Sequence, residues 1–185
     1  MTRMDRRALF TSGAAATLLA ASGLSAETPR TGGRLRLALP RDGGSFDDVS
    51  RGAVFDTLTE VAADGTLRPE LAVGWTSSQD ARQWRFDLRQ GVVFHDGQPF
   101  TADDVVASAK GFSGGEVRAL GTHQVSFSLN TPDPGLPLRL SQPEFFIAAS
   151  HAMGRGIGTG LYRVTSFTPG QRLLSTRVAE HYKDG

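Results

Sequence analysis

The sequence predicts an α+β domain with short strands and few helices. Three observations carry this. Apolar and polar residues alternate in several short stretches, and those stretches are separated by turns rich in Gly, Pro and Asp. A helix-start signal stands at Thr101, where a threonine precedes two aspartates and an apolar run.

Taken in order, Arg34-Leu35-Arg36-Leu37-Ala38-Leu39 alternates strictly and reads as a strand ending at Pro40. A polar loop follows, Arg41-Asp42-Gly43-Gly44-Ser45-Phe46-Asp47-Asp48. Val54, Phe55, Leu58, Val61 and Ala62 recur at helical spacing, which predicts a short amphipathic helix closed by Asp64-Gly65. Arg68 to Trp75 is expected to be an irregular connection burying Leu71 and Trp75. Trp84, Phe86 and Leu88 alternate with Arg85, Asp87 and Arg89, giving a half-buried strand. Gln90-Gly91 turns the chain, and Val92-Val93-Phe94 stays extended as far as a tight turn at Asp96-Gly97. The helix that begins after Thr101 is predicted to run through Val105, Val106 and Ala109 to Lys110, with Gly111 as its stop. Residues 111–121 read as a Gly-rich loop, Val125–Leu129 as a strand, and Thr131–Pro137 as a proline-rich turn region. Leu161–Phe167 and Leu173–Val178 read as two strands joined by a type II turn at Pro169-Gly170.

Residues 1–26 have the layout of a cleaved export signal. Arg3, Arg6 and Arg7 precede a weakly apolar stretch, and Leu24-Ser25-Ala26 offers a small-residue cleavage site. The apolar stretch carries Thr11, Ser12, Gly13 and Thr17, which makes it a poor membrane span. Asp5-Arg6-Arg7-Ala8-Leu9-Phe10 resembles a twin-arginine export motif. The leader holds three arginines and one aspartate of the chain's 20 basic and 19 acidic residues, so the remaining 159 residues carry a net charge of −1. That balance gives no electrostatic footprint for nucleic acid. The absence of cysteine excludes disulfides, thiol nucleophiles and Cys-ligated zinc.

No enzyme constellation emerges, and neither a catalytic residue nor a cofactor is expected. Asp103 and Asp104 are adjacent on a helix, point about 100° apart, and serve better as capping and dipole-complementing groups. His95 next to Asp96 lacks a nucleophile in a recognisable elbow. His123, His151 and His181 have no helical partner at metal-ligand spacing, so no metal is expected. Gly154 to Gly160 lacks the Lys and following helix of a phosphate loop and is expected to be a flexible lead-in to a strand. Trp75, Trp84, Phe86, Phe94 and Phe100 are assigned to the core. Loops at the carboxyl ends of strands commonly meet ligands, so the loop after Leu39 is the candidate cleft loop, with Arg41, Asp42, Gly43, Ser45 and Phe46 as its binding residues.

Taken together, Leu67-Arg68-Pro69-Glu70-Leu71-Ala72-Val73-Gly74-Trp75, the long block Trp84–Gly97 with Pro99-Phe100-Thr101-Ala102-Asp103-Asp104-Val105, and Gly158-Thr159-Gly160-Leu161-Tyr162 with Tyr182 resemble the bacterial extracellular solute-binding proteins of family 5. These are the peptide-, dipeptide- and nickel-binding receptors of ABC importers. Leu161 stands where the family pattern has Pro. The resemblance implies a monomeric periplasmic receptor of two lobes (a type II periplasmic binding protein) that closes on a small peptide or related solute and docks on an inner-membrane permease. Residues 27–185 are then expected to be the N-terminal part of the first lobe, with the second lobe absent from a partial or truncated chain. A stand-alone periplasmic interaction or regulatory module built from the same lobe is the alternative.

Overall fold

Trp84, Phe86 and Leu88 point one way and Gln83, Arg85 and Asp87 the other, and this alternation builds the centre of the fold. The computed structural model describes residues 51–168 and 172–183. Its strands in chain order are β1 (Thr59–Val61), β2 (Leu67–Pro69), β3 (Ala72–Ser77), β4 (Gln83–Leu88), β5 (Gly115–Gly121), β6 (Gln124–Leu129), β7 (Tyr162–Thr168) and β8 (Arg172–Arg177). The described helices are the stretch 51–54, α1 (Ala102–Ser108) and α2 (Leu136–Arg139), with three 3₁₀ turns. An antiparallel four-stranded sheet has the order β3-β4-β6-β5, while β1-β2 and β7-β8 are separate two-stranded ribbons. The architecture is α+β, as the sequence predicts.

Burial follows the alternation. Trp84 lies opposite Phe127 and Phe86 opposite Val125 across β4 and β6. All four are buried, so one face of the sheet is apolar and the other polar. Phe86 meets Phe127 edge-on with ring centroids 5.4 Å apart, within the range aromatic pairs favour. Leu58, Leu71, Phe94, Phe100, Val105 and Leu136 join the same core. Trp75, expected to be buried, is half-buried, with its ring 6.0 Å from that of Phe86.

The capped helix forms where predicted. Thr101 N–H donates to Asp104 Oδ2 at 2.8 Å, and the pair makes a capping box. Buried Asp104 does more than cap, because its Oδ1 accepts from the backbone N–H of Ser150 at 2.8 Å. One carboxylate thus ties the helix to the 3₁₀ turn Ser150–Ala152. The helix ends two residues earlier than predicted, at Ser108, and tightens into a 3₁₀ turn over Ala109–Gly111. At the preceding turn, Gly97 has φ +85°, which a side chain would strain.

Four local expectations fail. The predicted helix over 54–62 stops at Val54, and Thr59–Val61 is a strand paired with Leu67–Pro69. Thr57 and Thr59 are buried, and they alternate with Leu58 in a pattern that also fits a strand. The connection over 68–75 is not irregular, since β2 and β3 occupy most of it. The supposed loop over 111–121 contains β5, whose glycines bracket a strand paired along β6. The turn region at Thr131–Pro137 runs into α2. The turn expected at Pro169-Gly170, the strand expected at Arg34–Leu39 and the leader expected over 1–26 fall outside the described residues. Among the described residues no helix is long and apolar enough to cross a membrane.

Two of the three register shifts place apolar side chains outside the core. Registers slip between Ala72 and Gly74 and between Ala119 and Gly121, leaving Val73 and Leu120 about half exposed. The contrast with the core is testable by urea denaturation. Phe86→Ala is expected to cost about 3–5 kcal/mol, whereas Val73→Ala should stay within about 0.5 kcal/mol of the parent. Equal losses would contradict the assignment of the core face.

Candidate solute-binding groove

The groove begins with a backbone contact. Gly158 and Gly160 lie so near Val54 that a β-carbon on Gly158 would sit 2.0 Å from the Val54 carbonyl oxygen, and one on Gly160 2.7 Å from its carbonyl carbon. Gly160 N–H donates to that oxygen at 2.9 Å. The stretch expected to be a flexible lead-in is therefore a close-packed joint, where only glycine lets two backbones approach. His95 completes it from the other side. Its backbone N–H donates to the Gly158 carbonyl at 3.0 Å, and its ring Nε2 lies 2.7 Å from the Gly160 carbonyl oxygen.

Locked between those glycines, Thr159 is aimed at a buried polar cluster. Its hydroxyl donates to Asp56 Oδ2 at 2.8 Å, and the Tyr182 hydroxyl donates to the same oxygen at 2.9 Å. Glu70, also buried, accepts from the N–H and hydroxyl of Thr57 at 2.9 and 2.6 Å. Its other oxygen receives Lys183 Nζ at 2.6 Å, and Lys183 also reaches Glu60 at 2.8 Å. His181 Nε2 is 2.9 Å from the Thr159 carbonyl oxygen. Segments far apart in sequence are therefore joined through buried carboxylates, each of which has hydrogen-bond donors, as burial of charge requires.

The cluster perturbs its members. Burial, and then the nearby Asp56 charge, push the Glu70 carboxyl up to about 7 against the opposing pull of Lys183 and Thr57. Burial and the two carboxylates hold the Tyr182 hydroxyl far above its ordinary range, so it acts only as a neutral donor. Burial lowers His95 below the usual imidazole range, which keeps its ring neutral.

Above this floor lies an open groove of about 580 Å³. One wall is the extended stretch from Gly91 to His95; the other is the strand end and loop from Thr176 to Tyr182, with Arg163 on β7 alongside. Its size suits a small solute. Asp96 does not orient His95. It pairs instead with His151 at 2.7 Å, an exposed contact that lowers the Asp96 carboxyl. Among the described residues no group of His, Asp and Glu is arranged to hold a metal ion.

The candidate cleft residues Arg41, Asp42, Gly43, Ser45 and Phe46 lie outside the described residues. The described residues begin with the helical stretch 51–54 and Phe55, whose ring is 6.2 Å from that of Phe146. Sequence reasoning missed Asp56, Glu70 and Lys183 as partners. The available hint was polar residues inside otherwise apolar segments, such as Glu70 between Pro69 and Leu71.

The raised Glu70 has a definite pH consequence. Its proton is held more firmly in the folded chain than in the unfolded one, so its contribution is fully present below the unfolded carboxyl range. That contribution is lost as pH rises through about 7. Urea denaturation between about pH 5 and pH 8 should show a loss on the order of 2–3 kcal/mol from this group. Glu70→Gln should flatten that slope, and an unchanged slope would contradict the placement.

Comparison with known proteins bears on what this scaffold is. Residues 66–185 match the family model described as bacterial extracellular solute-binding proteins, family 5 Middle. The probable peptide ABC transporter periplasmic-binding protein y4tO of Sinorhizobium fredii is 33% identical over 130 residues, covering 62% of this chain and 24% of its own length. The HTH-type transcriptional regulator SgrR of Escherichia coli K12 is 31% identical over 125 residues, covering 60% of this chain and 22% of its own. The crystal structure of NikA from Brucella suis in complex with Fe(III)-EDTA superposes with a TM-score of 0.63 at 28% identity, over 70% of this chain and 31% of that one. The chain thus spans about a quarter of the length of these curated relatives. The fold is part of a type II periplasmic binding protein. With the family match running from β2 through the whole sheet to the joint and groove, the chain belongs to the bacterial extracellular solute-binding proteins of family 5.

Proposed function

We propose that this chain contributes to a substrate-binding component of an ABC-type importer, acting in the periplasm on small peptides or related solutes. The observation that carries the reading is the family match over residues 66–185, on a fold shared with periplasmic binding proteins. A leader over residues 1–26 would deliver it across the inner membrane, and an ABC permease would be its docking partner. Residues 27–185 would form the N-terminal part of the first lobe. Peptide as the solute class is supported by the relative y4tO, named as a probable peptide transporter component. Binding and release without bond breaking suits a site whose buried carboxylates are all engaged with donors.

A second reading is favoured by one observation. SgrR, a transcriptional regulator, matches over 60% of this chain, so the same scaffold also occurs in a regulatory protein. Under that reading the lobe senses a solute or partner without handing it to a permease.

Uptake separates the two. In cells lacking the gene, accumulation of a labelled tripeptide should fall to background and return when the full-length gene product is supplied. Undiminished uptake, with altered transcription of other genes, would overturn the importer reading in favour of the regulatory one. Calorimetric titration of the full-length product tests the solute class. Binding of sugars alone would sink the peptide assignment.

A further inference from the structure

Arg163 and Thr176 lie directly opposite one another in the β7–β8 register, so their side chains share one face of the ribbon. That face lines the groove, and both residues contribute to its wall. Neither side chain has a hydrogen bond or ion pair among the described residues, whereas Arg68, Arg82, Arg118 and Arg139 each reach a carboxylate. We propose that the groove is a binding site for a small monocarboxylate, with the Arg163 guanidinium as its anchor and the Thr176 hydroxyl as a second donor. This goes beyond the importer reading and stands or falls separately from it.

The charge pattern of the groove favours an anion. Arg177 also lines it, with Nη1 donating to the Val178 carbonyl at 3.2 Å, and Glu180 is the one carboxylate lining it among the described residues. Asp56 and Glu70 lie behind the floor, engaged by Thr159, Tyr182, Thr57 and Lys183, and do not offer free carboxylate oxygens to the groove. The His95 ring nitrogens face Gly160 O and Gly158 N, so this residue supplies wall rather than charge. A guanidinium presents paired N–H donors that match a carboxylate's two oxygens, which gives direction as well as attraction. Beside that anchor, Val93 is 54% exposed, and half-buried Val178 extends the apolar surface. The matching solute therefore carries one carboxylate and a short apolar body. Because Arg163 is exposed, its contribution is modest and sensitive to salt.

The test uses two probes that differ only in charge, N-acetylleucine and N-acetylleucinamide, titrated into the chain by calorimetry at low ionic strength. The acid is expected to bind about threefold more tightly than the amide, with the preference shrinking as sodium chloride is added. Arg163→Gln should abolish the preference, and Thr176→Val should weaken it. Arg118→Gln, which removes an exposed arginine on another strand, should leave it intact. Far-ultraviolet circular dichroism should be the same for all variants. Equal binding of acid and amide, binding of neither, or a preference that survives Arg163→Gln would each overturn the proposal. The salt response of the parent reads the charge without relying on any variant.

Discussion

Gly158 and Gly160 press their backbone so closely onto Val54 that no β-carbon fits between them, and this contact positions nearly everything around the groove. It fixes Thr159 over Asp56, brings the Gly158 carbonyl to the backbone of His95, and places the Gly160 carbonyl against the His95 ring. From Asp56 the order spreads to Tyr182, and from Glu70 to Lys183. Ile147 N–H donates to the Asp56 carbonyl at 2.9 Å, which draws in the segment that packs beside Phe55. A single close approach therefore organises segments separated by more than a hundred positions. Its energetic basis is the satisfaction of buried polar groups, which costs little when complete and a great deal when one partner is lost.

The sheet supplies rigidity of a different kind. Its apolar face is continuous with α1 and α2 through Phe86, Phe127, Val105 and Leu136. The polar cluster sits at its margin, where the 158–160 joint meets the stretch leading to β1. The division is physical. The sheet derives its stability from apolar burial, which is nearly independent of pH, and the groove floor from groups that titrate. A solute site built on such a floor inherits both its order and its pH sensitivity.

Much of the sheet was legible in the sequence. Trp84-Arg85-Phe86-Asp87-Leu88 and Val125-Ser126-Phe127-Ser128-Leu129 alternate cleanly, because one face of each strand is buried and the other solvated. The Thr101–Asp104 cap was equally readable, since its two halves lie three residues apart. The stretch from Val54 to Ala62 was not. Its apolar residues satisfy a helical period as well as an extended one, and Val61, expected inward, is exposed. β5 was hidden because glycines at both of its ends read as loop. The groove was the least legible feature, since Asp56, Thr159 and Tyr182 meet only through tertiary folding and no spacing rule relates them. The expected cleft loop from Arg41 to Phe46 lies outside the described residues, and the groove beside His95 is a candidate that the sequence did not announce.

Hydrogen exchange tests the joint most directly. The amides of Gly160, His95 and Ile147 donate to Val54, Gly158 and Asp56, and all three bonds must break if the joint opens. If the joint organises the fold, these amides exchange with the same free energy as those of β4 and β6, in one cooperative opening. Early exchange at Gly160 and His95 while the β4–β6 amides stay protected would contradict it.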